Sequence, residues 1–213
     1  RDPYYNLLEI LTHMRHSEKV SIMKRLFLIL ILMFSFNSWS NADDIRDLEI
    51  EGMSIGDSLL DYFSKDEIEK NIQSFYKNNE YAQVEFNDSF AFKKYWGVDI
   101  NFLTNDKNYT IVSISGIVDY RGDIIECTKQ VDIIFNDLGK QFTSWNKKEV
   151  NIRKHTADKS GKSTFKSGHY SSVQGFIVVG CYDYSLETGW MDHLTVSIKN
   201  TKFNDWLNTK AYE

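Results

Sequence analysis

The chain has 213 residues, of which 42% are apolar and 15% aromatic, enough for a packed core and inconsistent with a disordered or collagen-like class. A formal net charge of −5 argues against nucleic-acid binding through bulk positive charge. Two cysteines and one proline, Pro3, exclude a disulfide-dense scaffold and a zinc array.

Residues 23–42, MKRLFLILILMFSFNSWSNA, have the order of a secretory signal peptide. Lys24 and Arg25 form the positive start, Leu26 to Phe36 is broken only by Ser35, and Ser40 and Ala42 set up a cut before Asp43. The apolar run is well short of the ~20 residues a membrane span needs. Residues 1–22 read as translated upstream sequence, because the chain begins at Arg1 and the signal begins at Met23, with Met14 as another start. The expectation is a periplasmic or secreted protein made of residues 43–213, a single α+β domain with no stable membrane span after signal cleavage. That part carries 20 Lys/Arg against 27 Asp/Glu, a charge of −7.

In chain order, Ser54 with Asp57 suggests a capped helix over about 56–63, and Ser64 with Glu67 a capping box for a second over 65–74. Ile55, Leu59, Leu60, Phe63 and Ile68 would point inward. Val98, Ile100 and Phe102, then Val112, Ile114, Gly116 and Val118, alternate with polar residues around a turn at 105–108 and predict a β-hairpin. Asp123 with Glu126 caps a long helix whose apolar positions are Ile124, Cys127, Val131, Ile134, Phe135 and Leu138, with Gly139 as its stop. Val150 and Ile152 suggest a strand, Ala157 to Gly161 a turn, and Val173 to Tyr184 an apolar strand. Leu194, Val196 and Ile198 alternate with His193, Thr195 and Ser197 in a strand with one wet face. Thr201 to Ala211 closes as a short helix with Phe203, Trp206 and Leu207 inward. The fold expected is α+β, with an antiparallel sheet of about five strands under one long central helix, short N-terminal helices and a short C-terminal helix.

Cys127 falls on the apolar helix face and Cys181 on the Ile177/Val179 face of the central strand. In an oxidising compartment this pair predicts a structural disulfide, and the 54-residue separation has no redox C-x-x-C spacing. Ser160-Gly161-Lys162-Ser163 resembles the end of a phosphate-binding loop, but Thr156 stands where the motif needs glycine and no apolar helix follows. Among His155, His169 and His193 there is no H-x-x-x-H or H-E-x-x-H, so neither a metal nor a cofactor is expected. There is no G-x-S-x-G elbow either.

Residues 143–172 carry seven Lys/Arg against two acids. Two readings stand side by side. One is a solvated hairpin whose lysines keep a strand edge from aggregating. The other is an anion-recognition surface of Lys147, Lys148, Arg153, Lys154 and Lys162, with Trp145, Phe165, His169 and Tyr170 nearby to stack on a partner.

The runs Ile50-Glu51-Gly52-Met53-Ser54-Ile55-Gly56-Asp57-Ser58-Leu59-Leu60-Asp61-Tyr62-Phe63-Ser64, Ser113-Ile114-Ser115-Gly116, Asp158-Lys159-Ser160-Gly161-Lys162-Ser163 and Cys181-Tyr182-Asp183-Tyr184, with Asp192-His193-Leu194, resemble an uncharacterised family of small exported proteins from AT-rich marine alphaproteobacteria. The resemblance implies export and a bacterial source and lends no catalytic residue. Gly52-Met53-Ser54 before a short helix is also similar to small envelope-assembly lipoproteins with an ααββ core, though the lipoprotein cysteine is missing. The functional expectation is a non-catalytic binding or envelope-interaction module, meeting an anionic envelope component or a protein partner and no nucleic acid. The alternative is a small periplasmic hydrolase.

Overall fold

The computed structural model describes residues 44–87, 90 and 92–213, all within one compact unit, Asn41–Glu213. The segments read as upstream sequence and signal peptide, 1–22 and 23–42, lie outside the described residues. The elements are β1 Ile72–Gln73, β2 Tyr81–Phe86, β3 Gly97–Leu103, β4 Ser113–Asp119, β5 Asn146–Lys154, β6 Thr164–Ser171, β7 Gly175–Asp183 and β8 His193–Asn200. The helices are α1 Lys65–Lys70, α2 Ile124–Gln141 and α3 Thr201–Thr209, with short 3₁₀ turns at Ile45–Asp47, Leu59–Asp61 and Leu186–Thr188.

All eight strands form one antiparallel sheet in the order β1-β2-β3-β4-β8-β7-β6-β5. Two meanders therefore meet along their last strands, β4 and β8. The sheet is larger than the five strands expected. The strands that periodicity missed are β1, β2 and β6. In β6, TFKSGHYS, alternation gives little signal because Gly168 and Ser167 fill buried positions. Gly168 is small for a reason: a Cβ there would come within 2.8 Å of the Phe135 ring and 2.9 Å of Val150.

One face of the sheet carries the core. α2 lies on it, fixed by the Cys127–Cys181 disulfide, whose Cα atoms are 5.9 Å apart. Lys166 reaches up from β6 to the Thr128 carbonyl (3.0 Å) and the Asp132 carboxylate (2.6 Å). At the β2 end of the same face, Phe63 stacks on Phe86 with ring centroids 3.9 Å apart.

Five sequence expectations change. The 56–63 segment is only a 3₁₀ turn, because two of its backbone donors are taken by the segment leading into β4: Gly56 and Leu59 donate to the Ile111 and Tyr109 carbonyls, and Leu60 is 42% exposed. Ser54 is no cap; the Asp57 carboxylate instead accepts from the Ser54 backbone N–H at 2.8 Å. α1 has the Ser64/Glu67 capping box but ends at Lys70, since Ile72 and Gln73 pair with β2. α2 runs past Gly139 to Gln141. Lastly, the polar face of β8 is only partly wet: Thr195 and Ser197 are each 8% exposed, while His193 and Lys199 keep some exposure.

Candidate functional site

Side chains alternate across a strand, so the register sorts every residue to one face or the other. The face opposite α2 is bordered by α3 at one end, where Tyr81 meets Phe203 and Trp206, and by the 184–192 loop at the other, where Trp190 packs on Tyr184. Among the described residues no helix lies across its middle. One continuous row on this face crosses seven strands: Lys148, His169, Val178, Ser197, Ser115, Asp99, Glu85. It is basic at the β5 end, hydroxylic in the middle and acidic at the β2 end. The Ser115 and Ser197 hydroxyls meet at 2.7 Å where the two meanders join.

The five predicted anion-binding residues do not stay together, because β5 alternates between faces and carries a bulge between Lys148 and Asn151. Lys147 turns to the helix side, 5.0 Å from the Phe135 ring centroid, and pairs with Glu149 at 2.9 Å. Lys162 sits in the β5–β6 turn and is ion-paired to Glu187. Lys154 shares a face with Thr164 and Asp183, away from the row. Lys148 and Arg153 remain on the open face. β5 is the terminal strand of the sheet and its residues are largely exposed, so the edge position anticipated for this basic stretch is present.

A third cation, Lys199, joins Lys148 and Arg153. It lies on β8 two residues beyond Ser197 and opposite Ser113. All three act on His169, whose pKa is held below its ordinary value first by burial and then by the charges of Lys148, Arg153 and Lys199. Arg153 lies over the Phe165 ring at 5.1 Å and donates to the Ser167 hydroxyl at 3.2 Å. None of the three forms an ion pair among the described residues. Burial also lowers the pKa of Lys199. The signal for Lys199 was present in the sequence: the polar positions 193, 195 and 197 of β8 extend in step to 199.

At the far end of the row, Glu85 and Asp99 are direct cross-strand neighbours. Burial, and secondarily the Glu85 charge, pushes Asp99 up to about 7. Burial raises Glu85 as well, opposed by a hydrogen bond from the Gln83 amide at 3.2 Å.

The histidines do not form a nucleophile, base and carboxylate trio among the described residues. His193 Nδ1 meets the Met191 carbonyl at 2.8 Å and its ring stacks on Tyr182 at 4.9 Å. His155 is surrounded by Phe165, Tyr182, Tyr184 and Trp190. The Ser160–Ser163 segment is a turn built around Asp158, whose carboxylate accepts from the backbone N–H and hydroxyl of both serines. Among the described residues no group of three or more His, Cys, Asp or Glu is placed to hold a metal ion, and no helix is long and apolar enough to cross a membrane.

No protein-family model, curated protein sequence or solved structure matches the chain. The protein is α+β, with one sheet face packed under a disulfide-pinned helix and the other carrying a charge-polarised row.

Proposed function

We propose that this is an exported soluble protein, periplasmic or secreted, acting as a non-catalytic binding or envelope-interaction module. It holds an anionic group of an envelope component or protein partner at Lys148, Arg153 and Lys199. The observation behind this reading is that three cations surround His169 on the open sheet face and none has an ion-pair partner among the described residues. Like charges gathered without counter-charges repel each other, and a bound anion relieves that repulsion.

His169 is the reporter. A bound anion raises its pKa towards the ordinary histidine value by offsetting the three positive charges. Titration of the His169 ring protons by NMR, with and without inorganic phosphate, reads this directly. An upward shift that disappears in Lys148→Ala/Arg153→Ala supports the reading. A His169 titration indifferent to phosphate sinks it.

The hydrolase alternative draws on a different pair. Asp99, pushed up to about 7, is the direct cross-strand neighbour of Ser115. A carboxylate poised near neutrality suits a general base. This reading requires ester turnover that Ser115→Ala and Asp99→Asn each abolish.

A further inference from the structure

The two edges of the sheet are finished differently. β1 closes one side with only two residues, Ile72–Gln73, and shortness is a common way to blunt an edge. β5 closes the other with nine, Asn146–Lys154, and no described strand pairs with its outer side. The His155 N–H donates to the Ser163 carbonyl at 2.9 Å, and the pairs Lys154↔Thr164, Arg153↔Phe165 and Ile152↔Lys166 continue in step from there. Antiparallel pairs alternate between bonded and non-bonded. Arg153 and Asn151 therefore bond to β6, while Ile152 and Lys154 turn their N–H and C=O groups away from the sheet. The bulge ends at Asn151, which leaves 151–154 in regular register.

The side chains along this edge select a partner. β5 holds four Lys/Arg against Glu149 alone. Lys148, Arg153 and Lys154 form no ion pair among the described residues. A second copy of β5 laid along the edge would set like charges against like, which destabilises cross-strand pairs. Edge lysines thus keep copies of the chain apart. They do not repel an acidic strand. Ile152, on the helix face with Lys154, is 66% exposed and adds nothing to a charge barrier. A β-branched side chain at that place gains from an apolar cross-strand neighbour.

We propose that β5 is a docking edge for an extended acidic segment of a partner protein, which pairs with it and lengthens the eight-stranded sheet by one strand. The partner's main chain bonds to Ile152 and Lys154. Its acidic side chains meet Lys148 and Arg153 on the open face and Lys154 on the helix face, and an apolar residue lies opposite Ile152. The inference deepens the anion-binding reading above and rests on it for Lys148 and Arg153; the main-chain edge, Ile152 and Lys154 are its own.

The probe is the capped peptide acetyl-Glu-Glu-Val-Thr-Val-Glu-amide, added to the purified protein and followed by NMR and amide hydrogen exchange. The Ile152 and Lys154 amides should exchange slowly only with peptide present, while those of Asn151 and Arg153, already bonded to β6, should not change. Peptides N-methylated at alternate residues, in either of two phases, separate strand pairing from charge attraction: one phase removes the donors facing β5 and should abolish binding, and the other should not. Ile152→Pro removes one outward N–H and spares the β5–β6 bonds, so it should weaken binding about tenfold. Ile152→Val should keep it, Lys154→Glu should weaken it, and phosphate should still shift His169 in all three. Binding without protection of the two amides, or equal loss from both methylation phases, would overturn strand pairing and leave the anion site standing. Protection that appears without peptide as protein concentration rises would assign the edge to a second copy and overturn the acidic partner. No peptide binding, with phosphate still shifting His169, would overturn the docking edge alone. Failure of both probes would overturn it together with the reading it rests on.

Discussion

The Tyr170 hydroxyl reaches across from β6 to the last turns of α2, donating to the Phe135 carbonyl at 3.0 Å and lying 2.5 Å from where a Cβ on Gly139 would stand. This glycine is not a helix stop. It is a notch that lets a buried tyrosine dock against the helix. Helix propensity alone makes Gly139→Ala favourable by about 1 kcal/mol. Overpacking against a fixed hydroxyl costs about 1–3 kcal/mol. The substitution should therefore be net destabilising in urea unfolding, and the same change in a Tyr170→Phe background should be neutral or stabilising. Additivity of the two changes would show that the hydroxyl does not occupy the notch.

Cys127 and Cys181 tie α2 to β7. Cys181→Ser should cost about 2–5 kcal/mol, the usual loss for a native bridge in a small domain. In reducing buffer both proteins lack the bond, so the difference should vanish. A deficit that persists under reduction would assign Cys181 a packing role instead.

Asp99 ties stability to pH. Its carboxyl is pushed up to about 7, mainly by burial and then by Glu85. The folded protein thus binds a proton more tightly there than the unfolded chain, where an aspartate titrates near 3.9. The contribution is fully present below about pH 4 and is lost as pH rises through about 7. Asp99→Asn removes that dependence. It should raise stability at pH 8 by on the order of 1–4 kcal/mol relative to the parent and make no comparable difference at pH 4. Denaturant midpoints across this range check it; equal midpoints at pH 8 would show that Asp99 ionises there without strain.

Asp158 works in the opposite direction. Hydrogen bonds from Ser163 and Ser160 hold its carboxyl well below the usual aspartate range. Its contribution is present above the unfolded pKa near 4 and is lost as pH falls through the lower folded value. Asp158→Ala should lower the melting temperature at pH 7, and the gap from the parent should narrow in strong acid. A gap that stays constant with pH would mean that the turn depends on the side chain's shape and not its charge.

The long helix, the paired cysteines and the β3–β4 hairpin were legible because each rests on a local pattern. Three-and-four spacing from Ile124 to Leu138 predicts α2, and the cysteine placement predicts the bond. β1, β2 and β6 were not legible, for different reasons. β1 is two residues long and exists through its pairing with β2. β6 carries glycine and serine where a strand face usually carries bulk, because Phe135 and Val150 already fill the space above Gly168.

The basic stretch shows the same division within the site. Its sequence determined that seven cations against two acids gather in one stretch; that Lys147, Lys148, Arg153 and Lys154 of them fall on the edge strand was decided by the fold. Which of those cations are left without an ion pair was decided by tertiary structure. Strand alternation and the bulge at Lys148/Asn151 send Lys147 and Lys154 to one side and Lys148 and Arg153 to the other. Glu149 and Glu187 pair with Lys147 and Lys162. Lys199, distant in the chain, arrives beside His169 through the order β8-β7-β6, as Asp99 reaches Ser115 through β3-β4. Composition and periodicity are local quantities and report charge and amphipathicity; which charges face one another is set by strand order and register, which exist only once distant segments have paired.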